Sequence, residues 1–362
     1  MRIAFFGSSL VSSYWNGAAT YYRGLLKALS RLGHDITFYE PDAYERQTHR
    51  DIADPDWARV IVYEASEGAW RAPLDRALHE CDLLVKASGI GIFDVELETA
   101  VPDLAGPGVT TVFWDVDAPA TLDAIAQAPA HHMRGAIARY HAILTYGGGE
   151  PVVSAYRRLG ARNCEPIYNA VDPETHYPVA GRKDFTCELS LLANRLPDRE
   201  ARIESFFLAP AARQPDRTFV LGGSGWESRS LPANVRHVGH VGTGDHNAFF
   251  CSAGATLNVN RESMARYGFS PPTRIFEAAG AGACLVSDEW TGIEQFLEPD
   301  KEILVAKDGD AVVEILASLD APRRRRLAEA ARARVLAQHT YARRAQQVNQ
   351  LLDLGSNQEA AA

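Results

Sequence analysis

The sequence has no long apolar run and few cysteines. No stretch approaches the ~18 consecutive apolar residues that mark a membrane-spanning helix, and the apolar part of MRIAFFGSS at the amino terminus is too short for a signal peptide. The five cysteines are scattered without a C-x-x-C pair, so the usual zinc and disulfide spacings are missing. We therefore expect buried, reduced thiols in a cytoplasmic protein.

Basic residues are also fewer than acidic residues. Lysine and arginine together number 37 against 46 acidic residues, and the formal net charge is −9. This balance argues against a general nucleic-acid binder and against electrostatic anchoring to anionic lipid, but it leaves room for a local basic pocket. The length of 362 residues fits two domains, since a domain usually holds roughly 100–200 residues.

Strand-length apolar runs alternate with helical patterns in both halves of the chain. The predicted strands are 2–6, 35–40, 82–87, 109–114, 141–146, 187–192, 218–221, 235–238, 255–260 and 284–287. The predicted helices are 18–32, 70–81, 199–208, 273–279, 310–319 and 323–354. Several strands end in small or acidic residues, as expected along the carboxyl edge of a parallel sheet. The pattern predicts an α/β fold with two Rossmann-like domains.

A Pro-rich, irregular segment at 166–182 interrupts this alternation. We interpret it as a hinge between an amino-terminal domain, 1–165, and a second domain, 183–335. A helix at 336–354 and a disordered tail at 355–362 are expected to complete the chain.

A Gly/Ser-rich loop follows the first strand, where Rossmann-like sheets bind anions. Ser8 and Ser9 open it, and Asn16 and Gly17 close it before the first helix. These four residues are candidates for an acceptor or phosphate loop. The alternative stays open, because a full G-x-G-x-x-G is missing and any doubly wound domain begins in this way.

The segment YGFSPPTRIFEAAGAGACLVSD, 267–288, predicts a loop, a helix and a short buried strand. Arg274 and Glu277 lie three residues apart in the first turns of that helix, where free N–H groups and the helix dipole favour phosphate. An ordinary exposed helical pair is the alternative interpretation.

The order of motifs in the second half resembles the donor-binding half of GT-B glycosyltransferases. These motifs are NRLPDR at 194–199, GGSG at 222–225, NVRHVG at 234–239 and FEA at 276–278. WDVDAP at 114–119, GGG at 147–149 and PPTRIFEAAGAGA at 271–283 resemble the CgeB-like (spore-maturation-type) bacterial glycosyltransferases.

The resemblance implies two Rossmann-like domains facing across a cleft, with a carboxyl-terminal helix returning to the amino-terminal domain. It also implies a hexosyltransferase-type enzyme that moves a sugar from a nucleotide diphosphate-sugar to a hydroxyl of an acceptor bound by residues 1–165. We expect no metal, no cofactor beyond the nucleotide sugar and no nucleic-acid partner. The donor-binding residues it implies are Arg195, Arg199, Gly223, Ser224, Asn260, Arg274 and Glu277.

Two arginines are candidate ligands of the diphosphate in this interpretation. Arg195 is preferred as the ligand, whereas Arg199 has the alternative of pairing with Asp198 or Glu200 at a helix start. Glu277 is expected to accept hydrogen bonds from the ribose hydroxyls.

The sequence departs from the retaining relatives at one position. Phe269 stands where many of them carry a first glutamate, and allowance for a longer loop aligns Tyr267 instead. Retention is therefore not carried over, and an inverting enzyme needs a general base. Asp115 and Asp117, at a strand end, are the candidates, with acceptor positioning and loop capping as alternatives. Their D-x-D spacing resembles a metal motif but is interpreted as accidental in this fold.

Two other functions remain compatible with the sequence. A GT-B-fold nucleotide-sugar epimerase would use the same donor site without an acceptor. A non-catalytic nucleotide- or sugar-binding module would bind the donor without hydrolysis or transfer.

Overall fold

Two all-parallel sheets form the framework of the chain. A computed structural model describes the backbone of residues 1–359 and the side chains of residues 1–352. The first sheet has the strand order β3-β2-β1-β4-β5-β6-β7 and the second the order β10-β9-β8-β11-β12-β13. The strands are β1 (Arg2–Phe6), β2 (Asp35–Pro41), β3 (Arg59–Tyr63), β4 (Leu83–Ala87), β5 (Thr110–Asp115), β6 (Ala142–Thr145), β7 (Cys164–Pro166), β8 (Cys187–Leu192), β9 (Phe219–Gly222), β10 (Val235–His237), β11 (Ala253–Asn258), β12 (Leu285–Asp288) and β13 (Leu304–Ala306).

Helices connect the strands and cover the sheets. They are α1 (Ala19–Arg31), α2 (Arg71–Glu80), α3 (Asp94–Leu104), α4 (Ala118–Gln127), α5 (Met133–Ala136), α6 (Gly149–Arg158), α7 (Pro197–Ile203), α8 (Ala209–Ala212), α9 (His246–Ser252), α10 (Glu262–Tyr267), α11 (Thr273–Gly280), α12 (Gly309–Ser318), α13 (Ala321–Gln338) and α14 (Tyr341–Glu359). A π-helical turn, Glu204–Leu208, joins α7 to α8. No helix of the described residues combines the length and apolar character needed to cross a bilayer.

The chain divides into two compact units, each built on one sheet. The first unit holds residues 1–168 and continues from Tyr341, and the second holds residues 169–340. In the first unit α14 packs on α1, with the ring of Tyr341 against Gly24. The predicted α/β class, the two Rossmann-like sheets and the return of the last helix to the amino-terminal part are confirmed.

The sequence analysis missed three strands, the helices α3 to α6, α9 and α10, and one helix break. β3, β7 and β13 lie at or next to sheet edges and are short or partly exposed, so their apolar pattern is weak. The predicted helix 323–354 is two helices, α13 and α14. The break between them lies at His339 and Thr340. The His339 carbonyl accepts from Val171 N–H, and Val171 forms a β-bridge with Thr340. α14 extends to Glu359 and so includes the first part of the tail predicted at 355–362, whereas residues 360–362 lie outside the described part of the chain.

Strand order locates the ligand-binding edge of each sheet. The chain starts in the middle of each sheet, proceeds to one side and then crosses to the other. The direction changes between β1 and β4 in the first unit and between β8 and β11 in the second. In open parallel sheets, ligands bind beyond the carboxyl ends of the strands that flank such a switch point.

Gly24→Ala tests the packing of α14 on α1. A methyl group at position 24 would overlap the buried ring of Tyr341. Overpacking usually costs about 1–3 kcal/mol, more than the ~1 kcal/mol that alanine gains over glycine in a helix. Urea denaturation should therefore show a lower free energy of unfolding. Gly135→Ala, in α5 with open space at its Cβ, should be neutral or stabilising. Equal stability of the two variants would contradict this packing.

Candidate functional site

Two arginines approach the switch point of the second unit from the ends of β8 and β11. β8 is followed by the loop that leads into α7, which carries Arg199 in its first turn. β11 ends at Asn258, and the side chain of Arg274, from the start of α11, reaches back to it. The two strands are neighbours in the sheet. Both guanidinium groups are therefore held at the edge where a ligand is expected.

The Arg199 side chain is held by backbone and surrounded by other cations. Its Nη2 donates to the carbonyl of Asn194 at 2.7 Å, while its Nε is buried and makes no hydrogen bond within the described residues. Burial, together with the charges of Arg274 and Arg261, lowers the pKa of Arg199 to about 9. At neutral pH the group is still a cation, but one that lacks full compensation.

Arg274 is fixed by a buried amide. Its Nη1 donates to Asn258 Oδ1 at 2.8 Å, and its Nε is buried and makes no hydrogen bond within the same described part. Asn258 is fully buried, and its Nδ2 donates to Asn260 Oδ1 and Ser287 Oγ, both at 3.1 Å, so the amide cannot rotate freely. Burial lowers the pKa of Arg274 to about 10, and Glu277 offsets part of that shift.

The buried carboxylate of Asp288 offsets only part of the charge of this pair. Asp288 ends β12 and is fully buried, but its Oδ2 already accepts from Arg202 Nη2 at 2.6 Å. Arg199 and Arg274 therefore retain buried donor groups directed to the switch point. An anion with several acceptor oxygens, such as a diphosphate, would satisfy these donors.

The two arginines of the NRLPDR motif have different partners. Arg195 is half-buried and forms a bidentate ion pair with Glu200, through Nε at 2.9 Å and Nη2 at 2.7 Å. Asp198 pairs with Arg261 at 2.6 Å. Arg199 makes neither of the two carboxylate pairings considered for it. The ordinary helix-start ion pair therefore belongs to Arg195, and Arg199 is the better diphosphate candidate.

The glycine-rich loop after β9 meets the loop after β8. Gly223 has a φ of +122°, and a side chain there would overlap the backbone of Ala193. Its neighbour Ser224 is buried and donates its N–H to Asn194 Oδ1 at 2.9 Å. Gly223 is thus required by contact between the two loops. A close approach to a donor phosphate remains a prediction for Gly223 and Ser224.

Asn260, a predicted donor ligand two residues beyond the end of β11, lies in the interior. It is 1% exposed, and its N–H donates to Asp288 Oδ2 at 3.0 Å. Its side-chain amide donates to the carbonyl of Ser270 at 3.4 Å. The residue supports the switch point from behind, and direct contact with a donor would require this interior to open.

Glu277 is surrounded by two histidines that the sequence analysis did not single out. It is 5% exposed, and its oxygens lie 3.9 Å from His176 Nε2 and 3.9 Å from His246 Nδ1. Both histidines are buried. The predicted role of Glu277 towards ribose hydroxyls stays a prediction. The three residues are 31 to 101 positions apart, so no local spacing could have indicated the cluster.

The predicted acceptor or phosphate loop after β1 is held together by its own side chains. Ser8 Oγ donates to Asn16 Oδ1 at 2.8 Å, and Asn16 Nδ2 donates to the Ser9 carbonyl at 2.8 Å. Ser9 Oγ donates to Glu40 Oε1 at 2.9 Å. Ser8, Ser9 and Asn16 are buried, whereas Gly17 is exposed. The three side chains shape the loop, which leaves its backbone as the part that a ligand could reach.

Asp115 does not face solvent at the end of β5, contrary to expectation. It is fully buried, and its Oδ1 accepts hydrogen bonds from Ser88 Oγ at 2.7 Å and from Thr121 Oγ1 at 3.0 Å. Tyr156 donates its hydroxyl to Oδ2. Burial raises the pKa of Asp115 to about 6, and the hydrogen bonds from Tyr156 and Ser88 limit that rise. This network assigns Asp115 to loop structure.

Asp117 is the more accessible of the two acids. It precedes α4 as the N-cap residue, is half-buried, and its side chain makes no capping hydrogen bond to that helix. Its backbone N–H donates to Asp115 Oδ1 at 3.0 Å. Asp115 therefore fixes the backbone of Asp117 at the carboxyl edge of the first sheet.

The comparisons with known proteins agree with this architecture. Residues 199–350 match a family model described as glycosyl transferase-like. The matched segment contains Arg199, Arg274 and Glu277 and spans most of the second unit. Among curated proteins, no sequence is significantly similar.

Solved glycosyltransferases share the fold over the whole chain. A sucrose-phosphate synthase from Thermosynechococcus elongatus superposes with a TM-score of 0.72 at 15% identity, covering 100% of both chains. HepE of Anabaena in complex with UDP-glucose gives 0.69 at 13% identity, covering 98% of this chain and 99% of that one. An alpha-glucosyltransferase in complex with UDP and DNA gives 0.70 at 12% identity, with the same coverage. At these identities the likeness shows the fold, which is that of the GT-B glycosyltransferases.

The difference in free energy of unfolding between wild type and Asp115→Asn should depend on pH, because the buried carboxyl group titrates. Because its pKa in the folded state is raised from 3.8 to about 6, Asp115 stabilises the fold when protonated, and this contribution is lost as pH rises through about 6. The free energy of unfolding of wild type minus that of Asp115→Asn should fall by roughly 2–3 kcal/mol between pH 4 and pH 8.

Urea denaturation at both pH values measures this difference. Asp184→Asn, at a side chain that is 73% exposed, is the control and should show a much smaller change. A difference for Asp115→Asn that does not depend on pH would contradict the raised pKa.

Proposed function

We propose that the protein is a glycosyltransferase that moves a sugar from a nucleotide diphosphate-sugar to a hydroxyl of an acceptor. One observation carries the proposal: Arg199 and Arg274 present buried, incompletely satisfied guanidinium donors at the switch point between β8 and β11. The glycosyl transferase-like match over residues 199–350 and the shared fold support it. The neighbours solved with UDP or UDP-glucose indicate the class of donor.

The chemistry that the two arginines can perform follows from their charge. When the sugar–phosphate bond breaks, negative charge grows on the departing diphosphate. Fixed cations in a partly desolvated site stabilise that charge without having to reorganise. In this proposal they replace a divalent ion at the diphosphate, and no cofactor beyond the nucleotide sugar takes part.

The acceptor is assigned to the first unit, residues 1–168, as part of the same proposal. Asp117, fixed through its backbone by Asp115, is the proposed general base that removes the proton of the acceptor hydroxyl. This role fits an inverting reaction, since a direct displacement at the sugar carbon requires an activated nucleophile. The narrower CgeB-like assignment and the cytoplasmic location stay predictions that rest on the sequence motifs and composition.

Substitution of the two buried arginines should weaken donor binding. A thermal-shift screen of UDP-, GDP-, dTDP- and CMP-linked sugars identifies the nucleotide, and calorimetry without added divalent metal then gives the affinity. Arg199→Met and Arg274→Met should each bind the corresponding nucleotide at least tenfold more weakly, a loss of about 1.4 kcal/mol. Methionine retains most of the side-chain volume while removing the charge.

Two further variants sharpen this test. Arg195→Met, which removes only the ion pair with Glu200, should change the affinity less than threefold. Arg213→Met, at a side chain that is 54% exposed, is the control for loss of a surface cation and should match wild type. The assignment fails if Arg195→Met weakens binding as much as Arg199→Met, or if neither buried arginine matters.

Asp117→Asn should separate turnover from donor binding. Removal of a general base typically costs 10²–10⁴-fold in rate, so turnover should fall at least about 100-fold while donor affinity stays within twofold. The control is Asp103→Asn, at a side chain that is 39% exposed. Unchanged turnover would show that Asp117 is a loop residue without a catalytic role. Conversion of the donor to an epimeric sugar nucleotide without acceptor would instead identify an epimerase.

A further inference from the structure

Three potential metal ligands converge inside the second unit. His176 Nε2 lies 3.4 Å from His246 Nδ1. Glu277 Oε1 lies 3.9 Å from His176 Nε2, and Glu277 Oε2 lies 3.9 Å from His246 Nδ1. One ligand atom from each residue falls within 4.8 Å of the others. Ligands of a tetrahedral zinc ion at 2.0–2.1 Å are themselves about 3.3 Å apart. Small shifts would therefore bring all three into coordination distance.

The three ligands come from separate elements that are fastened together. His176 lies in the segment before β8, His246 begins α9, and Glu277 is in α11. The amide of Asn247 holds the backbone on both sides of His176: Nδ2 donates to the Thr175 carbonyl at 2.8 Å, and Oδ1 accepts from the Tyr177 N–H at 3.3 Å. The position of the His176 ring beside α9 is thus set independently of any ion.

The hydrogen bonds around His176 indicate which ring nitrogen carries the proton. Thr175 Oγ1 donates its single proton to the Asp172 carbonyl at 3.1 Å. The same oxygen lies 3.1 Å from His176 Nδ1, so Nδ1–H must be the donor in that contact. A neutral His176 therefore presents the lone pair of Nε2 to the cluster. A metal-bound histidine usually donates its far N–H to a carboxylate, a backbone carbonyl or water, and here the Thr175 hydroxyl oxygen takes that place.

The acceptor atoms of the cluster are suited to a cation. An ionised carboxylate accepts and cannot donate, and the lone pair of His176 Nε2 is also an acceptor. That lone pair accepts from His246 when Nδ1 of the latter is protonated, at 3.4 Å, whereas the 3.9 Å contacts of Glu277 with the two histidines are longer than hydrogen bonds. A divalent cation that displaced the proton of His246 Nδ1 would bind all three ligand atoms, since metal binding to histidine requires the deprotonated nitrogen.

We propose that His176, His246 and Glu277 form a buried binding site for a borderline divalent transition metal, with Zn²⁺ as the first choice. Two imidazoles and one carboxylate favour zinc over Mg²⁺ or Ca²⁺, which prefer sets of oxygen ligands. The ion would join the segment around His176 to α9 and α11 and so fix the helix that carries Arg274. Its role is structural, and it stands whether or not the protein transfers sugar.

Metal content of the purified, untagged chain tests the site. After exposure to micromolar ZnCl₂ and gel filtration, plasma mass spectrometry should find about one zinc ion per wild-type chain. His176→Ala and His246→Ala should each retain at least tenfold less zinc. His79→Ala, at a surface side chain that is 76% exposed, is the control and should retain the wild-type amount.

A cobalt spectrum of the wild type keeps the test independent of variant folding. One equivalent of Co²⁺ added to metal-free protein should give the intense visible bands of a four- or five-coordinate site, and excess Zn²⁺ should remove them. Zinc that is absent from the wild type, or that persists in both histidine variants as an adventitious ion only, would overturn the proposal. So would the weak bands of six-coordinate, solvated cobalt.

Discussion

Two guanidinium groups held at the ends of neighbouring strands are the constraint on which the rest of the second unit depends. The charge of Arg274 lowers the pKa of Arg199, and burial lowers the pKa of both. The fold tolerates this repulsion because Asn258 and the Asn194 carbonyl each accept one N–H group. In the proposed function, a diphosphate supplies the acceptors that the remaining buried donors lack.

The strand order creates this arrangement. The sequence of strands in the second sheet places the ends of β8 and β11 side by side, although about 60 residues separate them along the chain. Glycine at 223 permits the loop after β9 to pack against the loop after β8. Asp288, at the end of the next strand, is occupied by Arg202 and does not cancel the pair. The strand order, the contact between the two loops and the charges of the two arginines therefore all lie at the carboxyl edge of the second sheet.

The sequence predicted the framework better than it predicted the site. Ten strands with clear apolar runs were found, because burial on both faces of a parallel sheet leaves a strong signal. β3, β7 and β13 were missed, since short or partly exposed edge strands lack it. The choice between Arg195 and Arg199 required the side-chain positions: Glu200 could reach either arginine from the start of α7. Glu277 was found by resemblance, but its histidine partners come from distant segments.

The two acids of the first unit show the same limit. Both follow β5, and the sequence placed both at an open edge. The structure buries Asp115 beneath Ser88 and Tyr156 and leaves only Asp117 partly accessible. Residues two positions apart at a strand end point in different directions, and no pattern in the chain reveals which one the neighbouring helices will cover.

A crystal structure with the nucleoside diphosphate preferred by the protein tests the central claim most directly. The account predicts diphosphate oxygens within hydrogen-bond distance, about 2.7–3.2 Å, of the guanidinium groups of both Arg199 and Arg274, beyond the ends of β8 and β11. A nucleotide bound elsewhere, with these two arginines unchanged and untouched, would contradict it.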